Sequence, residues 1–188
     1  KSFAGKKREK MDRNKFLRLL FDEQQRTCFA EFPFDTALKA EPGPRDVFFG
    51  INSLAGPRSD SNVNCLRNFL LELDGIPLDK QVAYVTSKIP VSAITFSGNK
   101  SYHFIISLVE PVETEAEYRR VWRGLHEAVP EADKTTKNPS RLSRLPGAFR
   151  PDTGLFQELL YLGTRIELEK LPKPAPIRES VESPSKLF

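Results

Sequence analysis

Histidine and cysteine are scarce in this chain, with 2 residues of each among 188. Cys28 and Cys65 follow no ligand or framework spacing, which argues against a disulfide scaffold and against a zinc site. His103 and His126 cannot form a histidine cluster, and no Ser-His-Asp or Cys-His arrangement competes for a catalytic role. His126 sits in a helical pattern beside Glu127 and reads as a surface residue. No apolar run is long enough to cross a bilayer and no signal peptide opens the sequence. An intracellular, cytoplasmic protein without a membrane partner is therefore expected. Internal repeats are also missing.

What is present is ordinary for a globular protein: 39% hydrophobic and 29% charged residues, enough for one large domain or two small interlocked ones. The net charge of +4 is modest, but it is unevenly distributed. Lys1, Lys6, Lys7, Arg8, Lys10, Arg13 and Lys15 crowd the first stretch, so residues 1–13 read as a basic segment. Lys134, Lys137, Arg141, Arg144 and Arg150 form a second run, with no acid between 134 and 150. Such runs suit a polyanion, either nucleic acid or nucleotide phosphates, although a solvated basic face is the plainer alternative.

One stretch organises the rest. Arg67 to Gly75 reads as an apolar strand whose far end carries Glu72 and Asp74, and Gly75-Ile76-Pro77 ends it. Side chains two apart in an extended chain share a face, so the two acids project together while Leu71 and Leu73 point into a core. Adjacent carboxylates repel unless something positive lies between them, which makes this a candidate metal site.

Around that strand the periodicity predicts a helix within 14–25 and strands at 27–34 and 45–52, followed by a long loop over 53–63. A helix is predicted over 78–88, with Val82, Val85, Ala83 and Tyr84 on its buried side. A hairpin follows: a strand at 92–97, the turn Gly98-Asn99-Lys100, and a strand at 101–108. Thr114 can cap a helix over 114–128, with Val121, Trp122 and Leu125 inward. A late strand is predicted at 155–162, and residues 171–188 read as a Pro- and Ser-rich linker or tail. Mixed strands and helices argue for an α+β or α/β domain.

The hairpin puts Tyr102, Phe104, Ile106 and Leu108 on one face and Ser101, His103, Ile105 and Ser107 on the other. His103 thus shares a face with small polar groups beside a turn carrying Lys100, a setting able to cradle phosphate; a structural histidine is the alternative. Further on, Arg141 and Arg144 are placed to lie on one side of a turn or short helix and to grip a triphosphate or template through their guanidinium forks. Asp133 precedes the basic run. Set opposite Glu72 and Asp74 it would complete a three-carboxylate site, with Glu131 as competitor, and oxygen-only ligation selects Mg²⁺ or Mn²⁺.

Three blocks thus occur in order: Glu72-Leu73-Asp74 after an apolar strand, the run from Ser97 to His103, and Asp133 followed by Asn138 to Gly147 (NPSRLSRLPG). The ordered set resembles the catalytic domain of the archaeo-eukaryotic primase superfamily, the primase-polymerase domains of phage, plasmid and other mobile-element replication proteins. The resemblance spans roughly residues 48–163. It implies an α/β module fused to an RRM-like sheet with the active site between them, and a catalytic domain over 14–170. It casts Glu72, Asp74 and Asp133 as ligands of two catalytic metals. It assigns the incoming nucleotide's phosphates to His103 with Ser97, Ser101 and Lys100, and nucleotide or template to Arg141 and Arg144. Lys134, Lys137 and Arg150 fall to DNA. The implied activity is template-directed nucleotidyl transfer, as primase, DNA polymerase or both, in a phage- or plasmid-bearing host. A helicase or accessory segment would lie elsewhere in a longer replication protein. The first motif carries Glu72 where many members have Asp, and both Ser97 and Ser101 fit the serine of the second motif.

Two other functions fit parts of the pattern. An RRM-like module that binds single strands without catalysis would ignore divalent metal. A nicking nuclease usually needs a histidine pair and a tyrosine, which the histidine supply does not support.

Overall fold

Two of the most apolar stretches become the two longest strands of the structure, a computed structural model that describes residues 13–31, 36–39, 41–43 and 45–176. The basic segment before residue 13, residues 32–35 and residues 177–188 lie outside the described part, and with them a portion of the strand predicted at 27–34.

The chain opens with α1 (Arg13–Leu20), β1 (Thr27–Ala30), β2 (Thr36–Lys39), β3 (Phe48–Gly50) and β4 (Ser53–Leu54). It continues with β5 (Val63–Glu72), α2 (Leu78–Thr86), β6 (Ala93–Phe96), β7 (Tyr102–Val112) and α3 (Glu115–Ala128). Four short strands follow: β8 (Leu142–Arg144), β9 (Phe149–Arg150), β10 (Leu155–Phe156) and β11 (Glu158–Leu162). They form a five-stranded sheet ordered β11-β6-β7-β5-β4, a four-stranded sheet ordered β2-β1-β3-β8, and the small ribbon β10-β9. All the pairings between strands are antiparallel. The fold is mixed α+β.

The five-stranded sheet is the middle layer, and its alternation splits the core in two. One face sends Phe69, Leu71, Leu73, Phe104, Ile106 and Leu108 against Val85 of α2 and against Tyr118, Val121 and Leu125 of α3. Phe69 stacks on Tyr118 with ring centroids 4.3 Å apart. The other face sends Leu70, Ala93 and Ile105 against Phe16 and Leu20 of α1, against Phe29 and Phe49 of the second sheet, and against Ile51 just past β3. The division expected for the 101–108 strand is therefore what its side chains do. α3 begins as its sequence dictates, with Thr114 Oγ1 accepting from the Glu117 amide at 3.1 Å.

Several elements differ from expectation, each for a visible reason. α1 stops at Leu20 because Asp22 leaves the helix to pair with Arg67 (3.0 Å) and Arg165 (2.8 Å). Within the predicted 53–63 loop, Ser53 and Leu54 pair with β5 and residues 60–62 form a 3₁₀ turn. The strand predicted at 155–162 is divided at the buried Gln157, β10 pairing with β9 and β11 with β6. On α2 the fully buried residues are Gln81 and Val85, while Ala83 is exposed. At the end of the described chain Leu171 is buried, and the Ala175 amide donates to Glu127 of α3 at 2.7 Å.

A buried polar knot joins the layers. Asn52 accepts from the Arg67 and Asn68 amides (3.1 and 2.8 Å) and donates to the Asn68 and Pro139 carbonyls (2.9 and 3.0 Å). Asn68 in turn donates to Ile51 O at 2.7 Å, and the Tyr118 hydroxyl donates to Asn68 O at 2.8 Å. Among the described residues no helix is long and apolar enough to cross a membrane.

Candidate active site

The acid-bearing end of β5 faces the second sheet. Cross-strand register sets Glu72 beside His103 of β7, and His103 beside Thr95 of β6. A cavity of about 130 Å³ opens there, lined by Glu72, Asp74, Ser97, Asn99, Lys100, Ser101, Arg144 and Arg150. That volume suits a phosphate-sized group rather than a whole nucleotide.

Glu72 is the best-held member. Its Oε1 accepts from Ser101 Oγ at 3.0 Å and lies 3.4 Å from His103 Nε2. Burial pushes the carboxyl upward, but the His103 and Ser101 hydrogen bonds and the Arg141 charge together prevail and hold it down at about 2. His103 itself is buried. Its Nδ1 lies 2.9 Å from Ser143 Oγ of β8 and accepts from the Arg144 amide at 3.4 Å. An accepting Nδ1 leaves the proton on Nε2, aimed at Glu72. His103 therefore braces Glu72 from behind and is not among the residues lining the cavity.

Asp74 lies just past the strand, exposed, with Lys100 Nζ 3.3 Å from its Oδ2 across the cavity mouth. Both serines of the second block face the cavity, with Ser101 Oγ 3.2 Å from Ser97 Oγ. The turn between them needs Gly98, whose φ is +76°, a conformation L side chains rarely adopt, and where a Cβ would sit tightly against the Arg150 side chain at 3.3 Å. Gln81 ties the acidic strand end to this turn. Its side-chain amide donates to the Leu73, Ile76 and Lys100 carbonyls (3.0, 2.8 and 3.1 Å), and its Oε1 accepts from the Tyr102 amide at 2.9 Å.

Asp133 is brought close by its backbone, its amide donating to Glu72 O at 2.7 Å. Its carboxylate, however, caps the following 3₁₀ turn, accepting from the Thr135 amide (2.8 Å) and hydroxyl (2.5 Å). Glu131 is bonded to the Tyr84 hydroxyl. Among the described residues, no three acidic, histidine or cysteine side chains are gathered as a ready metal cluster.

The basic wall comes from β8 and β9. Residues 142–144 form a strand rather than a helical turn, so Arg141 and Arg144 do not share a side by helical spacing. Arg144 lines the cavity with its guanidinium over the Phe48 ring, 4.2 Å from the centroid. Burial, with Arg150 alongside, pulls its pKa down to about 10. Arg141 acts on Glu72 through its charge without lining the cavity. Lys134 and Lys137 sit exposed on the 3₁₀ turn after Asp133.

Solved structures with this architecture are known. The AEP domain of the primase-polymerase of cyanophage S-2L superposes with a TM-score of 0.70 over 87% of this chain and 100% of that one, at 22% identity. The chain has the archaeo-eukaryotic primase fold. The primase RepB′ matches with a TM-score of 0.56 at 9% identity, over 84% of this chain. This chain spans 58% of that RepB′ chain. The catalytic domain of primase RepB′ in complex with initiator DNA matches at 0.53 and 11% identity, covering 84% of this chain and 87% of that one. No protein-family model matches the sequence, and no curated protein does so significantly.

Within this primase fold the cavity collects Glu72, Asp74, Ser97, Lys100, Ser101 and Arg144 from the three sequence blocks, and adds Arg150 from the basic run. Sequence reasoning passed over Gln81, Ser143, Phe48 and Asn99. Ser143 carried a signal, since it stands between Arg141 and Arg144. Gln81 carried none, because a glutamine in an amphipathic helix usually faces water.

Proposed function

We propose that the chain is a template-dependent nucleotidyltransferase, a DNA primase, DNA polymerase or both, joining nucleoside triphosphates in DNA replication. The observation that carries this reading is a cavity in which two carboxylates face a phosphate-sized space walled by Ser97, Ser101, Lys100 and Arg144. A carboxylate pair alone would repel a triphosphate, and cations alone would merely bind it. The two together suit a reaction in which a hydroxyl attacks the α-phosphorus and pyrophosphate leaves. The primase fold supports the same reading, and a DNA complex is known for the catalytic domain of RepB′.

The donor chemistry fits Mg²⁺ or Mn²⁺. Glu72 and Asp74 offer oxygen ligands at the cavity, and Asp133 joins them if its carboxylate exchanges Thr135 for an ion. When bound, a metal pair lowers the pKa of the attacking hydroxyl and neutralises the leaving pyrophosphate. The chain's own residues do the positioning. Ser97, Ser101 and Lys100 offer hydroxyl and ammonium donors to phosphate oxygens, and Arg144 adds a charge oriented by Phe48. His103 keeps Glu72 ionised and fixed. Arg141, Arg150, Lys134 and Lys137 supply charge for the nucleic acid. A helicase or accessory domain in a longer protein fits the same role.

The test is nucleotide incorporation on a primed template with Mg²⁺ or Mn²⁺, comparing wild type with Asp74→Ala and Asp133→Ala. Both variants are expected to lose at least about 100-fold in rate. Wild-type rates in both would sink the assignment. Strand cleavage without pyrophosphate release would point to a nuclease, and single-strand binding indifferent to metal and to the acids would point to a binding module.

A further inference from the structure

Apart from Leu38, every exposed large apolar side chain among the described residues falls between 149 and 161. The most exposed is Phe156, at 56%, and directly opposite it across the β9-β10 ribbon is Phe149, at 46%. Their rings meet edge to face, with centroids 5.2 Å apart. Two adjacent phenyl rings in water are costly for a folded chain, and this ribbon is no loose loop.

Two fastenings hold it to the cavity. Thr153 Oγ1 donates to Gly98 O at 2.7 Å and Arg150 donates to Ser97 O at 3.3 Å, while the Gln157 amide closes the ribbon on itself by donating to Ala148 O at 2.8 Å. The ribbon is thus fixed to the Ser97–Ser101 turn, and Arg150, one residue from Phe149, lines the cavity itself. The setting is cationic. No acid occurs from 134 to 150, Arg144 stands beside the ribbon, and Arg150 within it is paired with the Asp152 carboxylate at 2.8 Å.

From these observations we propose that Phe149 and Phe156 form a stacking platform for unpaired bases of a single-stranded nucleic acid, leading the strand toward the cavity. A polyanion with flat apolar faces matches the chemistry on both counts: the arginines meet its phosphates and the rings meet its bases. A duplex hides its base faces and would leave the rings in water. The choice of ligand rests on the template-directed reading above, but the platform has a readout of its own.

The measurement is binding of a fluorescein-labelled dT20 oligonucleotide, and of an abasic oligomer of equal length, to this chain at fixed salt. In Phe149→Leu/Phe156→Leu, which keeps apolar bulk and removes the π faces, dT20 affinity is expected to fall roughly tenfold or more. Abasic binding and the salt dependence are expected to stay unchanged, because the phosphate contacts remain. Phe156→Trp is expected to bind dT20 at least as well as wild type. Unchanged circular dichroism and melting temperature establish that the variants are folded. Equal losses for dT20 and the abasic oligomer, dT20 affinity within twofold of wild type, or no dT20 binding by wild type would each overturn the platform. So would a wild-type dimer that the leucine variants dissociate while keeping dT20 affinity, since the rings would then serve a second copy of the chain. Loss of incorporation in Asp74→Asn with Phe-dependent dT20 binding intact concerns the catalytic reading alone.

Discussion

The two faces of the five-stranded sheet have been put to different uses. Toward α2 and α3, β5 and β7 present Phe69, Leu71, Phe104, Ile106 and Leu108, an apolar set with no polar side chain among them. Toward the second sheet the same strands present Asn68, Leu70, Glu72, His103, Ile105 and Ser107, four of the six polar although most are buried. A buried polar group is costly unless paired, so the second face is held by partners from across the layer: the Ile51 and Leu20 carbonyls for the Asn68 side-chain amide, and Ser143 for His103. The lesson is a separation of labour within single strands. One face supplies cohesion, and the other carries polar groups, with Glu72 among those that line the cavity.

That contrast can be broken most severely at Phe69, which stacks on Tyr118 on the helix side of the same strand that ends in Glu72. Phe69→Ala is expected to destabilise the fold by about 3–5 kcal/mol in urea unfolding while leaving the KM for nucleotide of the folded fraction unchanged. A shift in KM comparable to the loss of stability would mean that the two faces are not independent.

Gln81 tests the seam between them. Its amide satisfies carbonyls on both the acidic strand end and the Lys100 turn, so Gln81→Leu strands several buried groups. We expect a loss of about 2–3 kcal/mol in stability together with a raised KM, because the Asp74 and Lys100 segments lose their common anchor. A stability loss with KM intact would confine Gln81 to packing.

Phe48 probes the polar side more gently. The ring lies under Arg144, so Phe48→Leu keeps the bulk and removes the cation–π contact. Nucleotide affinity is expected to weaken by roughly 3- to 10-fold, with the melting temperature little changed.

The smallest effect belongs to Asp22, outside the site. The Arg165 hydrogen bond, opposed by burial and helped by the charges of Arg67 and Arg165, holds its carboxyl below the usual value of 3.8. A depressed folded pKa contributes stability that is present above the unfolded pKa and is lost as pH falls through the folded one. Asp22→Asn should therefore lower stability slightly at neutral pH, and wild type and variant should converge as the pH falls below 3.8 and through the depressed folded value. A constant offset across that range would contradict the assignment.

Much of this was legible in the residues. The alternation of 101–108 declared both faces of β7, Thr114 declared the start of α3, and the spacing of Glu72 and Asp74 placed both acids at one cavity although the strand ends at Glu72. Arg141 and Arg144 misled, because a three-residue spacing reads as helical only in a helix, and pairing with β3 made 142–144 a strand. The Asp133 carboxylate is turned toward Thr135, a local cap that competes with any distant ligand role and has no periodic signature. Gln81 and Ser143 gain their importance only from partners far along the chain, which spacing does not encode.

The central claim is that the polar face supports templated nucleotidyl transfer. Its most direct test is to incubate wild-type protein with a primed template, complementary and non-complementary nucleoside triphosphates, and Mg²⁺ or Mn²⁺, and to follow primer length and pyrophosphate together. The account predicts extension with the complementary nucleotide only, with one pyrophosphate released per nucleotide added and none without metal. Tight DNA binding with neither extension nor pyrophosphate under either metal would contradict it.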